Sequence, residues 1–248
     1  MMNVLITGAS TGIGREMAIQ MSNLGYDLYV VARDKSKLNK LKELVDTNVY
    51  IYDYDLSDLD NCYRLYDELK DKKIDIIINN AGFGIYGNYD DNILDKELNM
   101  IDLNVKSLHI LTKLFLNNKH TKRILNVASS AGLMKGGPLM STYYATKSYV
   151  CSYSFALYEE LRRNNSDKKI SVLCPGPVDT EFNKRANVKF NLKSLSAEYV
   201  ARYAIRKMFK NKLIIIPGFK VKVGIFFSRV IPTKMLLKIS YNIQKKKG

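Results

Sequence analysis

The first turn of the chain constrains the fold more than any other stretch. Met2-Asn3-Val4-Leu5-Ile6 is a short apolar run, followed at once by Thr7-Gly8-Ala9-Ser10-Thr11-Gly12-Ile13-Gly14 and then by Arg15-Glu16-Met17-Ala18-Ile19-Gln20-Met21. A buried strand, a Gly-rich turn and a helix fit that order. Glycines let the backbone approach a pyrophosphate closely. The helix that follows offers it unpaired N–H groups and the positive end of a dipole. The spacing is Gly-x-x-x-Gly-x-Gly, distinct from the older Gly-x-Gly-x-x-Gly dinucleotide fingerprint. Gly8, Ser10, Thr11, Gly12, Ile13 and Gly14 are the candidate contacts of this turn.

The same alternation of strand and helix continues. Strand patterns stand at 26–32, 49–52, 74–78, just before 126–132, at 170–173 and at 213–216, and a helix is expected at 197–209. Units of this length predict an α/β fold, a doubly wound parallel sheet of seven strands in the Rossmann-like manner. We expect one domain over 1–218 and a basic amphipathic extension over 219–248. The second strand closes on Arg33. In such sheets that position reaches the adenosine ribose, where an acid suits NAD and an arginine suits the 2′-phosphate of NADP. Arg33 therefore points to NADP, with Ser10 as a second phosphate contact and Arg15 as a lesser one.

Tyr143 and Lys147 lie four residues apart in Ser-Thr-Tyr-Tyr-Ala-Thr-Lys (141–147). On a helix they share one face. An ammonium there lowers the cost of ionising a phenol, so the expectation is a Tyr143 pKa depressed below its ordinary value of roughly 10. Such a phenol passes protons near neutral pH. By itself the spacing describes many solvated helix faces, because Tyr and Lys are abundant in this chain.

Other motifs fall in order around the pair. They are Asp55-Leu56, Asn79-Asn80-Ala81-Gly82, Asp102-Leu103-Asn104-Val105 within a long helical pattern, Asn126-Val127-Ala128-Ser129-Ser130-Ala131-Gly132, and Pro175-Gly176-Pro177-Val178-Asp179-Thr180. Over residues 2 to 218 this set resembles the short-chain dehydrogenase/reductase family. It is most similar to a group of little-specified bacterial oxidoreductases in it, and more distantly similar to hydroxysteroid and 3-ketoacyl reductases. The resemblance implies that Tyr143 protonates a carbonyl oxygen. Lys147 tunes Tyr143 and binds the nicotinamide ribose, and Asn104 holds a water of the proton relay. Asp55 and Leu56 would contact the adenine, and Asn80, with Ala81 and Gly82, the adenosine ribose side. Pro175, Gly176, Val178 and Thr180 would hold the nicotinamide end. It implies a small-molecule carbonyl or alcohol substrate and a homo-oligomer.

The resemblance leaves two serines for the hydrogen bond to the carbonyl. Counting forward from Asn126 selects Ser129; counting back from Tyr143 selects Ser130, because one residue is inserted near Lys135-Gly136-Gly137. A loop absorbs an insertion, while a strand end fixes where its side chains point, so Ser129 is the preferred reading. Tyr144 stands to Tyr143 as Ser130 does to Ser129, since it too neighbours Lys147.

Composition narrows the remaining choices. Cys62, Cys151 and Cys174 show no paired spacing, which suits a reduced cytoplasmic protein. His109, read as a helix residue, and His120, read as a loop residue, have no ligand partners at metal spacing, so no metal is expected. The first strand begins at residue 2, so no leader peptide is expected, and no apolar run has the ~20 residues of a membrane span.

The net charge of +15 is uneven. From Tyr199 onward there are 13 Lys or Arg and no acid, which leaves the preceding residues 26 basic against 24 acidic side chains. Pro232 divides the apolar and basic tail into two helical pieces. It reads as a cover over the substrate cleft or a subunit contact, or as a cationic segment on anionic lipid, giving peripheral membrane contact. Nucleic acid is not the expected partner, since no recognition module accompanies the charge.

Substrate is expected to enter over 180–194, where Phe182, Val188, Phe190 and Leu192 alternate with Lys184, Arg185, Lys189 and Lys193. That mixture suits an apolar or amphiphilic substrate, lipid-like or ketoacyl, with an anionic group. The expected reaction is NADPH-dependent reduction of a ketone or aldehyde, or its reverse. The alternative is an NADP-binding regulatory or interaction protein with weak catalysis, against which the complete motif set argues.

Overall fold

The computed structural model describes residues 2–91, 93–182 and 194–245. Its strands are β1 (Met2–Thr7), β2 (Tyr26–Val31), β3 (Val49–Tyr52), β4 (Ile76–Asn79), β5 (Arg123–Val127), β6 (Lys169–Leu173), β7 (Val178–Asp179), β8 (Leu195–Ser196) and β9 (Ile214–Ile215). Seven of them form one sheet in the order β3-β2-β1-β4-β5-β6-β9. Every pairing in it is parallel. The order reverses between β1 and β4, which opens a crevice beyond their carboxyl ends, the place where open α/β sheets bind ligands. The seven-stranded expectation holds. The sequence pattern did not show that β7 and β8 pair as a separate parallel ribbon.

Helices cover both faces. They are α1 (Gly12–Asn23), α2 (Lys35–Lys42), α3 (Leu59–Leu69), α4 (Leu94–Ile101), α5 (Leu108–Asn117), α6 (Ser141–Arg163), α7 (Ala197–Phe209), α8 (Phe219–Val230) and α9 (Thr233–Lys245). Alternate residues of β1 explain the layers. Val4 and Ile6 join a core with Met17 and Met21 of α1 and Val200 and Ala204 of α7. Leu5 joins the opposite core with Leu65 of α3 and Leu111 and Phe115 of α5. A strand buried on both faces reads as a continuous apolar run, which is why these strands were visible in the sequence.

Two local features position the site. One turn of π-helix, Asp102–Ser107, joins α4 to α5 and interrupts what the sequence pattern shows as one helix. Such a widened turn re-aims a side chain, here the fully buried Asn104. A 3-10 helix, Ser130–Leu133, follows β5 and lies against α6. Gly132 allows that approach, because a Cβ there would sit 2.3 Å from the Lys147 carbonyl oxygen.

Pro232 does divide the tail. α8 and α9 are its two pieces, and their inward stripes are Val221, Ile225, Ser228 and Leu236, Ser240, Gln244. Gln244 Nε2 donates to the Tyr144 hydroxyl at 2.6 Å, so the extension packs onto α6.

Candidate active site

The carboxyl ends of β1, β2, β4 and β5 open into one cleft of about 1960 Å³. The Gly-rich turn forms one end. Gly8 and Gly12 have φ of +66° and +56°, left-handed values that favour glycine. A Cβ on Gly14 would lie 2.3 Å from the Gly8 carbonyl oxygen and 2.4 Å from Asn80 Nδ2. Thr11 at the N-cap of α1 makes no capping bond, and no acid stands in the first turn. The turn therefore presents bare N–H groups and a positive dipole end to the cleft, which Ser10, Thr11, Gly12 and Ile13 line. These residues fit a dinucleotide pyrophosphate.

Asn80 lines the cleft and braces its Gly-rich turn. Its amide donates to the carbonyls of Thr7 and Gly8 at 3.0 and 3.1 Å, and the N–H groups of Asn80 and Ala81 donate to Thr7 Oγ1. Asn80 thus staples the turn to β4. Arg33 lines the cleft at the close of β2 and meets Asp55 at 3.4 Å. Both side chains are well exposed, so the pair contributes little and leaves the guanidinium able to change partners. Asp55 and the buried Leu56 line the same end. Lys37 of α2 pairs with Glu181 at 2.8 Å, joining the two banks of the cleft.

The other end gathers Ser129, Tyr143, Lys147 and Asn104. Tyr143 and Lys147 are buried on one face of α6. Ser129 stands two residues beyond β5 and caps the 3-10 turn, its Oγ accepts from the N–H of Ala131, and its hydroxyl reaches the Tyr143 phenol. Ser130 lines the cleft beside it, and its N–H donates to the Pro175 carbonyl. Asn104 grips the backbone of Phe83 from both sides: Oδ1 accepts from its N–H at 3.0 Å and Nδ2 donates to its carbonyl at 2.8 Å. Asn104 Oδ1 and Lys147 Nζ converge on Gly82, at 2.8 and 3.3 Å from where a Cβ would stand. Thr180 packs over Gly12, its methyl 3.0 Å from that Cβ position, while Pro175, Gly176 and Val178 line the cleft between.

Burial decides the protonation of this group. It pushes the Tyr143 phenol up to about 12, with the Ser129 hydrogen bond acting against it. It pushes the Lys147 ammonium down to about 8. The expected depression of Tyr143 by Lys147 is therefore not what the chain's own groups produce. Lys147 Nζ donates to the Val127 carbonyl at 3.1 Å and lies 5.9 Å from the centroid of the Tyr143 ring. Desolvation outweighs a contact of that length. The consequence is a phenol that stays protonated across the neutral range, the form a proton donor needs.

Several neighbours were not visible as site residues in the sequence. Gly84 admits Phe182 and Tyr143, since a Cβ there would lie 2.7 Å from the Phe182 ring and 3.1 Å from that of Tyr143. Gly137 lies against Tyr144 in the same way. Gln244 and Ser240 reach Tyr144 from about a hundred residues away in the chain. Cys151 and Cys174 lie 3.6 Å apart, sulfur to sulfur, behind Lys147. Among the described residues no cluster of His, Cys, Asp or Glu could hold a metal. Val188, Phe190, Leu192, Lys184, Arg185, Lys189 and Lys193, expected at the substrate's way in, lie outside the described residues.

Comparison with known proteins decides the family. The short chain dehydrogenase family model matches residues 2–190. This chain belongs to the short-chain dehydrogenase/reductase family. It is 32% identical over 219 residues to a dehydrogenase/reductase SDR family protein 7-like from Dictyostelium discoideum, covering 80% of this chain and 64% of that relative. It is 30% identical to a probable short-chain type dehydrogenase/reductase from Helicobacter pylori, over 73% of this chain and 67% of that one. Among solved structures it is similar to a short-chain dehydrogenase from Sphingobium yanoikuyae in complex with NADPH, with TM-score 0.81, 27% identity and coverage of 93% and 94%. A family member from Burkholderia phymatum in complex with NAD has TM-score 0.82 at 22% identity, with coverage of 91% and 92%, a likeness of fold.

Proposed function

We propose that the protein is an NADPH-dependent reductase of ketones or aldehydes, working also in reverse. The observation that carries the reading is the assembly of Ser129, Tyr143 and Lys147 at one end of a cleft whose other end fits a pyrophosphate. The cofactor, when bound, supplies the hydride. The chain's own groups handle the oxygen. The Ser129 hydroxyl and the protonated Tyr143 phenol orient and polarise the carbonyl, and Tyr143 gives its proton to that oxygen as the alcohol forms. Lys147, charged below about 8, lies beside the phenol and favours the charge left on it. Asn104 holds the Phe83 backbone and so fixes the segment after β4 whose Gly82 stands against Lys147.

The preference for NADPH rests on Arg33, an exposed guanidinium at the ribose end. The buried and half-buried walls of Phe83, Ile85, Met134, Met140, Phe182 and Leu236 favour an apolar substrate. The reading includes peripheral contact of the basic C-terminal helices with a membrane surface, supported by their charge. Among the described residues no helix is long and apolar enough to cross a membrane. NADPH oxidation measured over a panel of ketones and aldehydes tests the activity; no turnover of any of them refutes it. Titration with NADPH and NADH tests the cofactor. Arg33→Asp is expected to shrink or invert the preference, and equal affinities in the unmutated protein would refute it.

A further inference from the structure

The two tail helices have different faces, and the same residues connect them. Val221, Ile225 and Leu236 face inward and line the cleft. Phe227, Ile239 and Ile243 also line the cleft, yet they are 55%, 38% and 49% exposed. Residues that both line a cavity and meet solvent form its rim. The apolar interior is therefore continuous with the outer surface of the helix pair.

That outer surface is apolar and cationic. Phe219, Phe226 and Val230 are 81%, 65% and 67% exposed and follow one another at helical spacing along one stripe of α8. Lys220, Lys222 and Arg229 flank the stripe, and Lys234, Lys238 and Lys245 stand exposed on α9 beside Met235. Among the described residues these six cations form no ion pair with an acid. The surface could meet a second copy of the chain or an anionic lipid leaflet. A two-fold contact through it would bring two wholly basic segments together with no acid on either side, which is repulsive. A leaflet offers both partners the face lacks: anionic headgroups for the cations and an acyl boundary for Phe and Val.

We infer that the outer face of α8 and α9 docks on an anionic membrane surface and that the carbonyl substrate is a membrane-resident amphiphile. It passes from the leaflet over the Phe227, Ile239 and Ile243 rim to Tyr143. The carbonyl travels first and the apolar chain trails through the rim toward the bilayer. The inference rests on the reductase reading above and names its substrate class. Each basic residue near an anionic leaflet multiplies partitioning about fivefold, so docking is expected to fail in high salt.

The test uses the full chain and a triple variant, Phe226→Ser, Val230→Ser and Met235→Ser, whose side chains are exposed and do not line the cleft. The probes are a short methyl ketone in solution and a long-chain methyl ketone dissolved in phosphatidylcholine vesicles, with and without phosphatidylglycerol. NADPH oxidation and vesicle co-sedimentation are read together. Equal turnover of the soluble ketone by both chains is expected. With the vesicle-borne ketone, the variant is expected to lose about tenfold or more, and the unmutated chain to lose as much without phosphatidylglycerol or in high salt. Equal turnover of the vesicle-borne ketone by both chains, or equal turnover from neutral and anionic vesicles, overturns the inference and leaves the reductase reading standing. Failure of both chains on both ketones, and on the wider carbonyl panel, overturns the reductase reading and the substrate route with it, while co-sedimentation still decides the docking face. A dimer that the variant dissociates, with no vesicle binding by either chain, assigns the face to a second copy and overturns the inference.

Discussion

The Gly-rich end of the cleft and its tail-helix wall are built on different principles. At the Gly-rich end, backbone sterics decide the residues. A Cβ on Gly14 would stand 2.3 Å from a backbone oxygen, and Gly8 and Gly12 sit at left-handed φ. Little else can occupy these positions. At the tail wall, side chains need only be apolar inward and the right size, as Val221, Ile225 and Leu236 are. The first end suits a part every cofactor shares. The second suits a part that differs from one substrate to the next. The comparison teaches where reaction class and substrate choice are held in this chain.

The largest expected effect tests the chemical end. Tyr143→Phe is expected to lose about 1000-fold in kcat while NADPH affinity stays near normal. Tyr144→Phe, whose hydroxyl bonds Gln244 of the tail, is expected to change kcat little. Steady-state kinetics and a binding titration read both. If Tyr144→Phe loses more in kcat, the two regions have been assigned the wrong way round.

Next comes the serine. Ser129→Ala is expected to lose about 100-fold in kcat, the scale of one donor to a reacting oxygen. Ser130→Ala is expected to lose far less, because its side chain has no described bond to Tyr143. A larger loss at Ser130 would show that distance from the tyrosine, and not the strand end, sets the position.

How much of this was legible depends on where each constraint lives. The strands were legible because burial on both faces leaves continuous apolar runs, as in Val4-Leu5-Ile6. The Gly-rich turn and the Tyr143/Lys147 spacing were legible because their constraints are local in sequence. The bracing of that turn by Asn80 was not: its amide bonds carbonyls more than seventy residues away, and only the sheet order brings them together. Gly84 carried no signal, because the Phe182 and Tyr143 rings that a Cβ there would meet lie far along the chain. The Tyr143 pKa was misjudged for a related reason. Spacing shows the neighbouring ammonium but not the burial that outweighs it. The two-piece tail was legible from Pro232, but its contact with Tyr144 was not, since Gln244 carries no signal of its partner.

A pH profile sharpens the comparison at moderate size. Tyr143 stays protonated to about 12, so a loss of reduction above about 8 is assigned to Lys147. The expected profile falls up to about tenfold per pH unit above that point, and Lys147→Met removes the limb along with most of the rate. Stability is expected to move the other way. The folded Lys147 holds its proton less tightly than a lysine in an unfolded chain, whose pKa is 10.5, so the unfolded state binds more protons between about 8 and 10.5. Stability attributable to this group therefore rises with pH through that window and is lost as pH falls to about 8. Denaturant midpoints measured across the same range check the sign. A profile flat through 8 in the unmutated chain, or a limb that survives in Lys147→Met, contradicts the assignment.

The smallest effect belongs to the tail wall. Gln244→Leu removes the hydrogen bond from Nε2 to Tyr144, one made by a buried side chain whose Oε1 has no hydrogen-bond partner among the described residues. Removing one partner of a buried bond costs about 1 kcal/mol, but here a second, unpaired polar atom leaves with it, which offsets part of the loss. Global stability is therefore expected to change by less than about 1 kcal/mol. What changes is the hold of α9 on α6. A wall that moves is expected to raise KM for large carbonyl substrates a few-fold and to leave kcat and NADPH affinity unchanged, because neither Tyr143 nor the Gly-rich turn touches Gln244. Kinetics with a small and a large ketone on the same preparation decide it. A fall in kcat for both ketones would mean that the tail helps hold the proton donor itself, and the separation between the two regions would fail at Tyr144.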